Sequence, residues 1–145
     1  VTITAAGSLR LERRGAKIVL FSTAAYLALY QKRSYLLTLT NPGTYPYPLG
    51  SLECRKTVNG FFLRDSADST DGIGPFTLPV TIRSRRGGER IRMHSGRSKE
   101  VKKILNEWNV DSLARALLPI IIKDSSVHAL YGSVLGYKNW FVEEA

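Results

Sequence analysis

Short strand-like runs separated by turn residues constrain the fold of this chain most. Alternating apolar residues bounded by glycine, proline and asparagine predict β-strands, and the first half of the chain consists mostly of such runs. Residues 9–13 and 17–21 flank Arg14-Gly15-Ala16 and predict a hairpin. Residues 22–30 are predicted as a short helix. The other predicted strands lie at residues 1–4, 35–39, 49–56 and 61–64.

A polar stretch then divides the chain. Residues 65–75 contain mostly Asp, Ser, Thr and Gly, and we predict an exposed loop or hinge there. We therefore divide the chain into a β-rich half, residues 1–75, which could still belong to the same compact unit, and a second half, residues 76–145.

The second half has the clearest helical signal. Val101, Ile104, Leu105 and Trp108 recur at helical spacing and predict one buried stripe. Ser98 is the predicted N-cap of this helix, with Glu100 in its first turn. Strands are predicted at 76–83 and 90–93, a short helix at 112–118 ending before Pro119, and a hairpin at 120–123 and 127–131.

Positive charge is concentrated in one part of the chain. The 21 Lys and Arg residues exceed the 12 Asp and Glu residues, so the net charge is +9, and a polyanion such as RNA, DNA or an anionic membrane is the expected partner. Only Glu89 and Glu100 oppose the basic residues of the segment 83–103. These are Arg83, Arg85, Arg86, Arg90, Arg92, Arg97, Lys99, Lys102 and Lys103.

This segment suits phosphate groups. Gly87-Gly88 allows a close backbone approach, the flanking arginines can bind phosphate oxygens in pairs, and the N-terminus of a helix offers free N–H groups. Strand, turn and helix are therefore predicted to present one positive surface. Outside this segment, Tyr45 and Tyr47 are candidates for stacking on bases. The alternative is a solvated basic face that serves solubility.

Other chemistries lack support in the sequence. One cysteine, Cys54, allows no internal disulfide and fits a reducing compartment. His94 and His128 have no cysteine partners at zinc spacing, and Asp65, Asp68 and Asp71 lack the spacing of a calcium loop. No apolar run approaches the length of a membrane span. Because the chain begins at Val1 rather than Met, we expect it to be part of a longer protein.

Four pieces of the second half resemble the tRNA(Ile)-lysidine synthetases, a bacterial enzyme family. Ile82-Arg83-Ser84-Arg85-Arg86-Gly87-Gly88-Glu89-Arg90-Ile91 is similar to the family pattern I-R-x-R-x-x-G-D-R-I. Three further pieces follow in the same order and spacing as in the family. They are Gly96-Arg97-Ser98-Lys99-Glu100-Val101-Lys102-Lys103-Ile104-Leu105, then Arg115 with Leu118-Pro119-Ile120-Ile121, and finally Tyr131-Gly132. Glu89 replaces the usual Asp, and Val110-Asp111 stands where Ile-Pro is common.

The resemblance implies a fold and a role. The fold would be α+β: a layered, β-sandwich-like domain of unusual topology with short helices, similar to a domain of the phenylalanyl-tRNA synthetase β chain. The full enzyme ligates lysine to the wobble cytidine of the CAU anticodon of tRNA(Ile), using ATP with magnesium. Its serine-glycine-glycine-x-aspartate-serine loop is absent from this sequence. The chain would therefore correspond to the C-terminal region, which holds the tRNA acceptor stem.

These expectations define a binding module with no catalytic residue, metal or cofactor of its own. Its expected partners are tRNA(Ile) and the upstream catalytic domain of the same protein, in the cytoplasm and away from membranes, with a homodimer left open. An alternative is a module that docks on the catalytic domain or a sister subunit without touching RNA. The residues expected to contact RNA are Arg83, Arg85, Arg86, Gly87, Gly88, Arg90, Arg97, Lys99, Lys102, Lys103 and Arg115.

Overall fold

The described parts of the chain contain fourteen strands and two short helices, and residues 28, 30 and 31 are also helical. The structure, a computed structural model, describes residues 2–3, 9–14, 17–22, 28, 30–68, 70–93 and 95–142, with the backbone alone up to residue 22. The strands are β1 Thr2–Ile3, β2 Leu9–Arg14, β3 Lys17–Ser22, β4 Leu36–Leu39, β5 Gly43–Tyr47, β6 Gly50–Thr57, β7 Gly60–Asp65, β8 Ile73–Phe76, β9 Val80–Arg83, β10 Arg90–Arg92, β11 Ser98–Glu100, β12 Ile120–Lys123, β13 Ser126–Tyr131 and β14 Asn139–Phe141. The helices are α1 Val101–Glu107 and α2 Ser112–Leu117, and residues 133–135 form one 3-10 turn.

The first sheet is the predicted N-terminal hairpin with one added strand. β2 pairs antiparallel with β3, and β1 pairs with β2. The hairpin prediction is thus confirmed. The helix predicted at 22–30 lies largely outside the described residues.

The largest sheet carries the basic segment. Its strands follow the order β11-β10-β13-β12-β9-β4, and β14 also pairs with β13. All of its pairings are antiparallel except β10 with β13. The predicted hairpin of 120–123 and 127–131 is confirmed as β12 and β13. β4 pairs with β9, so sequence from both sides of residue 75 contributes to this sheet.

The third sheet is a meander of β5, β6, β7 and β8. β5 contains Pro46, which has no backbone N–H to donate, and it occupies the edge of the sheet, where that donor is not needed.

Two apolar layers lie on opposite faces of the largest sheet. On one face, Ile82 and Ile121 pack in one core with Leu52 and Leu63 of the meander. On the other face, a second core contains Ile91, Ile120 and Leu130 of the sheet together with Val101, Ile104, Leu105, Ala114 and Leu118 of the helical region. The described chain is therefore a layered α+β structure with two short helices, and this fold class is confirmed.

The prediction of an exposed loop at 65–75 is confirmed only in part: residues 66, 67, 70 and 71 are exposed outside the strands, but two of its aspartates are not. Asp65 and Asp68 are buried, and the segment ends in β8. Tyr131 donates a 2.5 Å hydrogen bond to Asp68 and accepts one from the backbone N–H of Asp65, while Tyr47 donates to the Asp65 carboxylate. Hydroxyl groups of Thr70 and Ser133 also bond Asp68. These bonds tie the meander to the largest sheet.

Two further boundaries differ from the sequence prediction. Residues 76–83 do not form one strand, because β8 and β9 belong to different sheets on either side of Pro79. The helix begins at Val101 rather than after Ser98, and its N-cap, Glu100, makes no side-chain capping bond. Ser98 and Glu100 instead lie in β11, paired with β10. Trp108, predicted as buried, is half-buried.

Candidate nucleic-acid interface

The connection between β9 and β10, residues 84–89, carries Arg85 and Arg86, and we call it the arginine loop. It runs from β9 past β12 and β13 to β10, because those two strands lie between them in the sheet. Gly87 and Gly88 are exposed at its tip, with nothing near the position of an added Cβ atom. Gly88 has φ +77°, a conformation that favours glycine. The loop tip is therefore open to a ligand.

A buried ion pair holds the base of the arginine loop. Oε1 of Glu89 accepts a 2.6 Å hydrogen bond from Arg83 Nη1 and a 2.5 Å bond from the backbone N–H of Arg86. The two charged side chains are only 13% and 10% exposed, and Oε2 of Glu89 has no partner among the described residues. Arg83 is thus committed to an internal pair, and Glu89 fixes the backbone that carries Arg86.

Arg85 and Arg86 have no such commitment. Within the described chain, neither guanidinium makes a hydrogen bond or ion pair, and Arg86 is exposed while Arg85 is half-buried. Both line a cleft of about 300 Å³ together with Arg83, Ser84 and residues 34–36. These two arginines can turn to an anion without breaking an internal bond.

The edge formed by β10 and β11 carries the next group of cations. Arg90 donates to Oγ and to the backbone oxygen of Ser98 and lies 3.5 Å from Glu100. Arg92 and Arg97 are exposed and make no side-chain bond with any described residue. Because Ser98 lies in a strand, it caps no helix; the helix begins at Val101, whose backbone N–H donates to the backbone oxygen of Glu89.

The strand register places the predicted contacts on two faces of the sheet. Arg90 pairs with Glu100 and Arg92 with Ser98, so these four share one face, whereas Lys99 pairs with the buried Ile91 on the opposite face. α1 packs on the Ile91 face. The predicted cations therefore do not share one face of the sheet: they flank the β10–β11 edge from both sides.

The lysines of the helical region differ among themselves. Lys99 forms a short ion pair with Glu107, whereas Lys102 and Lys103 are exposed on α1 and have no partner in the described residues. Arg115 points inward. It donates to the backbone oxygens of Val110 and Leu105 and to the side chain of Asn106, so it joins the two helices.

The tyrosines predicted to stack on bases are engaged internally. Tyr47 is 9% exposed and bonds the buried Asp65, and burial is the main cause that raises the pKa of Tyr47 far above its ordinary value. Tyr45 is half-buried and bonds the backbone oxygen of Asn41. Tyr47 is therefore unavailable to a base.

Sequence reasoning missed a second basic segment beside the arginine loop. The backbone N–H of Ser84 donates to the oxygen of Tyr35 at 3.2 Å, and the N–H of Tyr35 donates to Oγ of Ser84 at 3.3 Å. These bonds bring the exposed Lys32 and Arg33, about fifty positions earlier in the chain, towards the arginines. The only sequence signal was the local run Gln31-Lys32-Arg33-Ser34 directly before a predicted strand.

The described residues contain no cluster of three or more metal-binding side chains. None of the helices in the described parts is long and apolar enough to cross a membrane. Cys54 is buried, and burial raises the pKa of its thiol, which disfavours the reactive thiolate.

Comparisons with known proteins point to one family. The model of the family described as "TilS substrate C-terminal domain" matches residues 80–142. A tRNA(Ile)-lysidine synthase of Treponema denticola is 37% identical over 139 residues, covering 94% of this chain and 29% of the relative. A tRNA(Ile)-lysidine synthase of Treponema pallidum is 37% identical over 105 residues, covering 72% of this chain and 22% of the relative.

The chain therefore spans less than a third of the length of these curated relatives. Among solved structures, one titled "Crystal structure of TILS C-terminal domain" is 23% identical. It has a TM-score of 0.48 and covers 70% of this chain and 83% of that one.

Proposed function

We propose that this chain holds the tRNA substrate of a tRNA(Ile)-lysidine synthase. Residues 80–142 belong to the TilS substrate C-terminal domain family, and this match links the chain to the tRNA(Ile)-lysidine synthases. The whole protein would ligate lysine to the wobble cytidine of tRNA(Ile) with ATP and magnesium in a catalytic domain upstream. This chain would contribute affinity and position, in the cytoplasm, and no chemical step.

One observation carries the proposal: six cations in the basic segment have no partner among the described residues. They are Arg85, Arg86, Arg92, Arg97, Lys102 and Lys103. An unpaired surface cation can neutralise a phosphate and release a counterion without first breaking an internal bond, and that release supplies much of the affinity for nucleic acid. Because these cations flank an edge rather than cover a flat face, they suit the curved backbone of an RNA duplex, which proteins recognise mainly through its shape, phosphates and 2′-hydroxyls.

The same observation narrows the expected contacts. Arg83 and Arg115 serve the interior, so we assign them a structural role. Arg90 and Lys99 are partly committed to Glu100 and Glu107, and we expect weaker contributions from them. Gly87 and Gly88 contribute through the open backbone at the loop tip.

The test is the salt dependence of tRNA binding. We expect the logarithm of the association constant of the full chain for a tRNA(Ile) transcript to fall with the logarithm of salt concentration, and these six cations should contribute about −5 to the slope if all of them reach phosphates. The variant Arg85→Ala/Arg86→Ala should make the slope shallower by about 1.5 to 2.

A matched control separates contact from net charge. Arg55→Ala/Lys56→Ala removes the same two charges from exposed positions on the meander and should leave the slope nearly unchanged. A flat slope for the unmodified chain would instead favour the alternative, a module that docks on the catalytic domain or a sister subunit and does not touch RNA.

A further inference from the structure

We infer that the cleft between residues 34–36 and 83–86 binds a phosphate group of the RNA backbone, with Lys32 and Arg33 at its approach. This site rests on the proposed function and locates one of its contacts. Three of the seven residues that line it, residues 34–36, lie outside the family match at 80–142. It is a composite site that the basic segment of residues 83–103 cannot form alone.

The walls of the cleft are held by hydrogen bonds on both sides. Tyr35 and Ser84 exchange two bonds, of 3.2 and 3.3 Å. The hydroxyl of Tyr35 donates a 2.8 Å bond to the backbone oxygen of Leu117 at the end of α2, and burial raises the pKa of this hydroxyl well above its ordinary value. Tyr35 is therefore neutral and is held by Ser84 at its backbone and by Leu117 at its hydroxyl.

The lining offers hydrogen-bond donors suited to an anion. Arg85 and Arg86 contribute two guanidinium groups that make no bonds within the described chain, and Ser34 contributes an exposed hydroxyl. Planar guanidinium groups bind phosphate oxygens through paired hydrogen bonds. Arg33 donates to the backbone oxygen of Tyr30 through one nitrogen, and its guanidinium lies over the Tyr30 ring at 4.2 Å, so only its remaining N–H groups can reach a ligand.

Glu89, the acidic residue closest in sequence to Arg85 and Arg86, does not repel an anion in the cleft. Glu89 directs one carboxylate oxygen at Arg83 and at the backbone N–H of Arg86, and its side chain is 10% exposed. Its charge is matched by Arg83, which also lines the cleft. The unmatched charge at the cleft is therefore that of Arg85 and Arg86, with Lys32 and Arg33 beside it.

The first experiment removes the part of the site outside the family match. Lys32→Ala/Arg33→Ala in the full chain should make the salt slope of tRNA binding shallower by about 1 to 2. The control Arg55→Ala/Lys56→Ala loses the same charge on another sheet and should differ little from the unmodified chain. Equal slopes for the two variants would overturn the site, while a salt-dependent unmodified chain would leave the proposed function standing.

A second experiment tests the cleft itself. Ser34→Glu places an acid in the cleft, and Thr44→Glu places one on the exposed edge strand β5. We expect at least a tenfold loss of tRNA affinity for the first variant and less than a twofold loss for the second. Equal losses would contradict the assignment.

Backbone amide shifts separate failure of the site from failure of the function. During titration with a short RNA duplex, residues 34–36 and 84–86 should shift in the unmodified chain. Shifts at the β10–β11 edge alone would refute the cleft but retain RNA binding, and a spectrum without shifts would refute both.

Duplexes with and without a 5′-phosphate then identify the source of the phosphate group. A loss of affinity in Ser34→Glu for both duplexes indicates an internal phosphodiester, and a loss for the phosphorylated duplex alone indicates a terminal phosphate. A loss for neither duplex overturns the site.

Discussion

Replacing Glu89 by glutamine removes one negative charge from the most basic part of the chain, and two effects then act on RNA affinity in opposite directions. If the carboxylate only opposed the RNA, its loss would strengthen binding. A unit charge about 10 Å from a phosphate in water contributes about 0.4 kcal/mol, so the gain would be about twofold. If the carboxylate positions the arginine loop, its loss weakens binding.

The structure favours the second effect. One oxygen of Glu89 holds both the Arg83 guanidinium and the backbone N–H of Arg86. A neutral acceptor makes each of these bonds weaker by about 1 kcal/mol, so Glu89→Gln should lower the free energy of unfolding by about 2 kcal/mol. Arg86, released from its fixed backbone, should lose one charge-assisted bond to phosphate, which corresponds to about a tenfold loss of affinity.

The assay pairs this variant with the same substitution at Glu100. That carboxylate is 43% exposed and lies 3.5 Å from Arg90, so Glu100→Gln changes the same charge without disturbing a buried pair. Fluorescence anisotropy with a labelled tRNA transcript at fixed salt measures affinity, and urea denaturation measures stability. A gain of affinity in Glu89→Gln equal to that in Glu100→Gln would refute the positioning role.

The buried network and one glycine give two further predictions. Tyr131→Phe should lower the free energy of unfolding in urea by about 3 kcal/mol, whereas Tyr45→Phe, whose hydroxyl is at an exposed site, should cost less than about 1 kcal/mol. Burial raises the pKa of Asp68, but hydrogen bonds from neighbouring groups outweigh burial and hold the pKa below its ordinary value of 3.8. The ionised Asp68 therefore stabilises the fold above pH 3.8, and this contribution is lost as the pH falls through the lowered pKa. Tyr131→Phe should therefore shift acid unfolding to higher pH, and an unchanged midpoint would contradict the network. Gly132→Ala should cost about 3 kcal/mol because its Cβ atom would lie 2.0 Å from a backbone oxygen, whereas Gly87→Ala, in open space, should change stability by less than about 0.5 kcal/mol.

The sequence predicted the elements whose signals are local. The hairpin of β12 and β13 follows from two apolar runs around a short polar turn, and α2 ends before Pro119 because proline disfavours helix at the residue that precedes it. The apolar stripe of α1 was also identified from its spacing, since Val101, Ile104 and Leu105 are buried together.

The errors arise where pairing partners decide the outcome. Ser98 has the chemistry of an N-cap, but it pairs with Arg92 of the neighbouring strand β10, so strand pairing overrode the preference of the single residue. Asp68 lies in a polar stretch that resembles a surface loop, yet its partner Tyr131 is 63 positions away. Nothing within a short window of sequence distinguishes an aspartate in water from one that bonds a buried tyrosine.

The basic segment shows why net charge alone overstates a binding surface. Each acid in or next to the segment is used internally: Glu89 by Arg83, Glu100 by Arg90 and Glu107 by Lys99. These pairs decide which cations remain available. The cations without a partner among the described residues are Arg85 and Arg86 of the arginine loop, Arg92 and Arg97 near the β10–β11 edge, and Lys102 and Lys103 of α1. A stretch with the same composition but different pairing would expose other arginines and fit another ligand. Under the proposed function, specificity for a folded RNA would depend on the placement of these three glutamates as much as on the number of arginines, so moving one glutamate should redirect the surface more than deleting one exposed lysine.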